Sequence, residues 1–212
     1  MWSKRFRLRS GGRAQTRASA PRRDRIIEMM RPQWRPAALS LTVLGAIARL
    51  LPHPPNFAPV GATSVFAGAR LPSWQAYLAP LALLAITDPI INSWYGLPAY
   101  SLGRLFVYGS FLISVWIGQR LCNTERTGRI ALALLASAVQ FFIISNFGTW
   151  FMGNWYAHTP AGLLACYTAA IPFFGWTLLG DFTYGAVLFG LHAWLTRGVS
   201  TRERVVQAHQ LA

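Results

Sequence analysis

The stretch QFFIISNFGTWFMGNWYAHTPAGLLACYTAAIPFFGWTLLGDFTYGAVLFG, residues 140–190, decides the fold. A long apolar run ends in Asn-Phe-Gly and gives way to a loop of Trp, Tyr, Asn and His. Apolar character then resumes, with Asp181 at the head of the last hydrophobic segment. Aromatics that straddle an interface, with an ionisable residue just inside it, mark a membrane protein with a site on one face.

Composition agrees. Of 212 residues, 53% are hydrophobic and only 12% charged, against about 25% charged in an ordinary soluble domain. Several windows of 15 to 20 residues hold at most one charge, which predicts transmembrane helices. The formal net charge of +14 resembles a nucleic-acid signal until its location is considered. Eleven of the 20 Lys and Arg lie in residues 1–35, and most others sit in short loops or the C-terminal tail. That is the positive-inside pattern, so the expected partner is the anionic inner leaflet of the lipid bilayer rather than nucleic acid. Residues 1–35 read as a disordered basic cytoplasmic tail. The pair Met29-Met30 directly before the first span reads as an alternative translation start to Met1. Ala46-Ile47-Ala48 resembles a signal-peptide cleavage site, but the multispan remainder favours an uncleaved first helix. Cys122 and Cys166 fall near opposite faces and predict no disulfide.

Spans are expected at 36–51, 57–69, 74–91, 104–121, 130–147 and 176–195. The turn Pro52-His53-Pro54-Pro55-Asn56 cannot continue a helix. The second run is short for a span, and its small residues Ala58, Ala62, Ser64 and Gly68 fall at small-xxx-small spacing, which permits close helix approach. Residues 161–174, bounded by Pro160 and Pro172, could form a seventh span. That would put Arg197, Arg202 and Arg204 outside. A re-entrant or interfacial segment at 161–174 leaves six spans and both termini in the cytoplasm. The expected architecture is thus an all-α membrane protein, a six-helix transmembrane domain at 36–196 followed by a cytoplasmic tail at 197–212, in the bacterial inner membrane. Gly180, Gly185 and Gly190 recur every five residues, line no single face, and read as local packing.

With six spans the polar residues gather at one depth. Arg49 ends the first span, Asp88 the third and Asn146 the fifth, while Arg104 opens the fourth and Asp181 the sixth. An unpaired charge there costs about 2.5–3.5 kcal/mol on insertion scales, so these groups should meet partners or a ligand. Two Arg and two Asp form a neutral set, readable as structural ion pairs or as the floor of an outward-facing pocket. Trp150, Trp155, Tyr156 and His158 would roof that pocket. The candidate ligand-binding residues are Arg49, Asn56, Asp88, Arg104, Asn146, Trp150, Tyr156 and Asp181. No metal site, cofactor or catalytic residue is expected. The sequence holds no His-x-x-x-His, Cys-x-x-Cys, Gly-x-Ser-x-Gly, Walker loop or His-Glu-x-x-His.

Four phrases carry a resemblance: RLLPHPPNFAPVGATSVFAGA (49–69), LLAITDP (83–89), SNFGTWFMGNWY (145–156) and LLACYTAAIPFFGWTLLGDFTYGAVLFG (163–190). Over about 36–195 the chain resembles an uncharacterised family of bacterial integral membrane proteins, a domain of unknown function. More distantly, its layout is similar to the S components of energy-coupling-factor transporters. The shared features are six spans, a small-residue second helix with Gly61 and Gly68, and an acid closing the third span. That likeness implies capture of a small-molecule ligand near the outer face and docking on a transporter membrane subunit with ATPases. The docking motif Ala-x-x-x-Ala is absent from the first span, where Ala38 is followed four on by Thr42 and Ala46 by Leu50. The expected function is a substrate-capture subunit for uptake, not an enzyme. The alternative is a non-transporting envelope scaffold or assembly partner.

Overall fold

A computed structural model describes residues 35–96, 98, 101–122 and 126–210, with side chains up to 196. The basic segment 1–34 lies outside the described residues, as do the last two residues of the chain. The described chain is all-helical. The helices are α1 (Arg35–Ile47), α2 (Val60–Arg70), α3 (Ser73–Trp94), α4 (Arg104–Leu121), α5 (Thr127–Met152) and α6 (Pro160–Gln210). A short 3-10 turn, Ala48–Leu50, extends α1.

Three helices are long and apolar enough to cross a membrane: α3, α5, and the Pro160–Thr196 part of α6. Six spans were expected and six helices are present, but among the described residues only these three meet the requirement for crossing a membrane. The reason is visible in α2. Its 11 residues rise about 16 Å, against a hydrocarbon core of about 30 Å. Instead of facing lipid it forms the axis of the bundle, and every residue from Ala62 to Arg70 is buried.

Small residues let the other helices close on α2. A Cβ added to Gly68 would run into the Val115 carbonyl of α4, and one added to Gly118 into the Val65 carbonyl of α2. The two backbones thus touch reciprocally, the arrangement that glycine permits between membrane helices. On the α1 side, a Cβ on Gly45 would stand 2.5 Å from Thr63 Oγ1. On the α6 side, Phe66 packs edge-on against Phe189 and His192, at 5.2 and 5.6 Å between ring centroids. A polar seam joins α4 to α5: Gln140 Nε2 donates to Ser110 O and Ser114 Oγ, both at 2.9 Å, and Ser137 Oγ donates to Ser114 Oγ at 2.8 Å.

The expected re-entrant or interfacial segment at 161–174 is corrected. Residues 160–210 form one helix that contains Pro172, and the backbone of 197–210 continues it. The segment is paired with α5. Tyr167 Oη donates to Ile143 O at 2.6 Å, and Phe142 meets Tyr167 and Phe174 with ring centroids at 5.6 and 5.0 Å. A proline inside a helix loses one hydrogen bond, a defect that neighbouring helices make tolerable in membranes. Asp181 consequently lies well inside α6 and does not open a helix. The glycines of α6 differ from one another. Gly180 rests on the backbone of Phe57 and Ala58, Gly185 on Leu134, and Gly190 faces open space.

Candidate functional site

Three of the expected residues converge where α1 and α3 end and α4 begins. Asp88, only 2% exposed, receives ion pairs from Arg49 on one carboxylate oxygen and Arg104 on the other. Tyr108 Oη donates to Asp88 Oδ2 at 2.9 Å. Arg49 also donates to Thr87 Oγ1 at 3.0 Å, and Thr87 in turn donates to Leu83 O at 2.8 Å. The helix period explains the grouping, since Tyr108 lies one turn beyond Arg104 on the same face of α4. That i, i+4 spacing was the signal that could have found Tyr108 in the sequence. Thr87, adjacent to Asp88, carried no comparable signal.

The turn behind Arg49 is pinned. The His53 ring lies between the carbonyls of Arg49 and Pro54, at 3.2 and 3.0 Å. Asn56 has φ 64°, and Phe57 N donates to Pro54 O at 3.0 Å. Proline at the second position and left-handed backbone at the third are what a type II turn demands, and asparagine tolerates that conformation. Asn56 is exposed and serves the turn.

The remaining candidates stand apart from the cluster. Asp181 is 2% exposed, and its Oδ1 accepts the backbone N–H of Ala62 at 2.9 Å, in the first turn of α2. No side chain on α2's own flank caps that end, so α6 supplies the acceptor that a helix N-terminus favours. Gly61 is the necessary partner, because a Cβ there would fall on the Asp181 carboxylate. The expected neutral set of two Arg and two Asp is therefore split. Arg49, Asp88 and Arg104 carry a formal +1 together, and among the described residues Asp181 has no ion pair.

Asn146 donates from Nδ2 to Phe142 O at 2.7 Å, within its own helix, and its carbonyl accepts the Cys166 thiol at 3.5 Å. Trp150 Nε1 donates to Ala157 O at 2.9 Å, and its ring lies 5.5 Å from that of His158. The 153–159 loop is thus tied to α5. It sits at the same end of the bundle as Arg104, since Phe106 meets Phe147 and Phe151 at 5.9 and 6.3 Å. Trp155 is 89% exposed, and Tyr156 is half-buried.

The space beside the cluster is small. A cavity of about 10 Å³, lined by Ala46, Arg49, Val60, Thr63, Leu84 and Thr87 among others, has room for about one water. Chemically the cluster is an anion receptor closed on its own carboxylate. Two planar guanidiniums present fork-shaped donors suited to carboxylate or phosphate, and each arginine side chain keeps about one-fifth of its surface exposed (21% and 22%). Among the described residues no group of three His, Cys, Asp or Glu converges as a metal would require.

The family of unknown function DUF6580 matches residues 31–204. The chain belongs to this family. The match takes in all three members of the cluster and Asp181, so the DUF6580 region holds the whole candidate site. No curated protein and no solved structure matches the chain.

Proposed function

We infer that this DUF6580 protein is a six-span protein of the bacterial inner membrane that captures a small anionic molecule at Arg49, Asp88 and Arg104. Besides α3, α5 and α6, the shorter α1, α2 and α4 complete the six spans. A helix enclosed by protein, as α2 is, need not match the bilayer thickness on its own. The basic ends at Arg35, Arg120, Arg126 and Arg129 favour a cytoplasmic placement of both termini.

One observation carries the functional reading: two arginines share one carboxylate and leave an uncompensated positive charge, partly exposed, at the mouth of the bundle. A carboxylate or phosphate can take one guanidinium from Asp88 without stranding that acid, because the other arginine and Tyr108 still hold it. Such capture fits the substrate-binding subunit of an uptake system. Melting curves recorded with a panel of small carboxylates and phosphates test it.

The second reading is an envelope scaffold. It is favoured by the three donors already on Asp88 and by the single-water cavity beside Arg49. Its mark is a stable partner in mild-detergent pulldowns that is neither an ATPase nor the membrane subunit of a transporter.

A further inference from the structure

Arg49, Thr63 of α2 and Thr87 of α3 share the cavity of about 10 Å³ beside the arginine cluster. We propose that this cavity holds one ordered water, which bonds Thr63 to Arg49 and Thr87 and so positions the Arg49 guanidinium.

Thr63 supplies the first argument. It is 2% exposed, and among the described residues its Oγ1 has no hydrogen-bond partner. A buried hydroxyl left unbonded is costly, and such groups find a protein partner or an ordered water. On the α1 side the hydroxyl rests against Gly45, whose Cα offers it nothing to bond. Thr63 differs from Ser64, whose hydroxyl is also unbonded, in lining this cavity. Size and chemistry are the second argument. A space of this volume takes about one water, and a buried water typically makes about three hydrogen bonds. Three polar side chains border it. Arg49 bonds Thr87 and Asp88 through Nη1, and a guanidinium has further N–H donors. Thr87 Oγ1 gives its hydrogen to Leu83 O and accepts from Arg49, which leaves it one lone pair. A water among them can accept from Arg49 and donate to both threonines. The rest of the wall, from Ala46, Val60, Pro80, Leu83 and Leu84, is apolar, which confines the water to these three groups. Third, the bridge reaches a helix that Arg49 does not otherwise bond. Its direct side-chain hydrogen bonds run to α3, and the water adds α2. This holds whether the arginine cluster captures an anion or only clasps the helices.

A crystal structure of the full chain, at a resolution that shows ordered water, tests this directly. One peak is expected in the cavity, within about 3.2 Å of Thr63 Oγ1 and of Arg49 or Thr87. Thr63→Val keeps the shape of the side chain and removes the hydroxyl. Its melting temperature should fall by about 2–4 °C, the shift that loss of one net hydrogen bond makes in a chain of this size. The peak should vanish, and the Arg49 side chain should become less well ordered relative to Arg104, which does not border the cavity. Thr63→Ser retains the hydroxyl and should retain both the peak and the ordered Arg49. A wild-type cavity without density, or a peak and an ordered Arg49 that survive Thr63→Val, would overturn the proposal. So would a Thr63→Val protein that melts at or above the wild-type temperature, since its hydroxyl would then have been an unbonded burden.

Discussion

Asp181 caps a helix that lies 119 residues away in sequence: its carboxylate accepts the Ala62 N–H at 2.9 Å, over a glycine that leaves it room. The acid and Gly61 therefore act as a pair. Asp181→Ala removes the cap and should cost about 1–2 kcal/mol. Gly61→Ala forces the carboxylate aside and should cost about 1–3 kcal/mol. In the double variant the added methyl meets no carboxylate, so the loss should fall short of the sum by about 1 kcal/mol or more. Unfolding of the three variants in detergent measures this, and strictly additive losses would show that the two residues do not share a site.

The cluster at the other arginines predicts an order of effects. Asp88→Ala leaves two guanidiniums without a counter-ion and should destabilise by about 3–5 kcal/mol. Tyr108→Phe removes one hydrogen bond to a charged group and should cost about 1.5–3 kcal/mol. Arg104→Ala should stay near the lower figure, because Arg49 and Tyr108 still hold the acid. Unfolding midpoints check the ranking. An Asp88→Ala protein as stable as the wild type would mean that the arginines find other partners.

Much of this arrangement was legible in the sequence. Arg49, Asp88 and Arg104 announced themselves because each is an ion beside a long apolar run, and such ions must meet something. Ser64 and Gly68 signalled a close helix contact by spacing alone. Gly118, its counterpart on α4, gave no such sign, because a crossing is defined by two helices and the sequence shows one at a time. Asp181 misled for the same reason. Its partner is a backbone N–H at Ala62, which has no sequence signature, so it was grouped with the arginines by depth. The 161–174 segment misled because two prolines look like boundaries in a sequence, whereas the aromatic pairing of Phe142 with Tyr167 and Phe174 carries the helix through one of them.

Contact between α2 and α4 should be sensitive to a single methyl group. Gly68→Ala and Gly118→Ala each place a Cβ against a backbone carbonyl that cannot rotate away, and each should cost about 1–3 kcal/mol. Gly190→Ala, with open space around it, should be neutral or slightly stabilising through helix propensity, by about 0.5–1 kcal/mol. Melting temperatures of the three variants side by side make the comparison. Equal behaviour of Gly68 and Gly190 would contradict the backbone contact.

Cys122, just beyond α4, is fully buried, and burial pushes its thiol up to about 11 against the pull of Arg70 and Arg129. At pH 8 about one thiol in a thousand is then ionised, and the thiolate is the reactive form. In a Cys166→Ser background, iodoacetamide at pH 8 should label Cys122 only after denaturation. The folded thiol holds its proton to higher pH than the unfolded one. Stability is therefore unaffected below about pH 9 and declines as pH rises from there towards 11. Rapid labelling of the folded protein at pH 8 would show that Cys122 is not enclosed.

The most direct test of anion capture is the melting curve of the purified protein, wild type and Arg104→Ala, across small carboxylates and phosphates. At a ligand concentration of 100 Kd, one of them should stabilise the wild type by about 2.7 kcal/mol. Arg104→Ala should melt cooperatively but lose that gain. If no anion moves the wild-type curve, or if one moves the variant equally, the arginine cluster is a structural clasp and the capture reading is wrong.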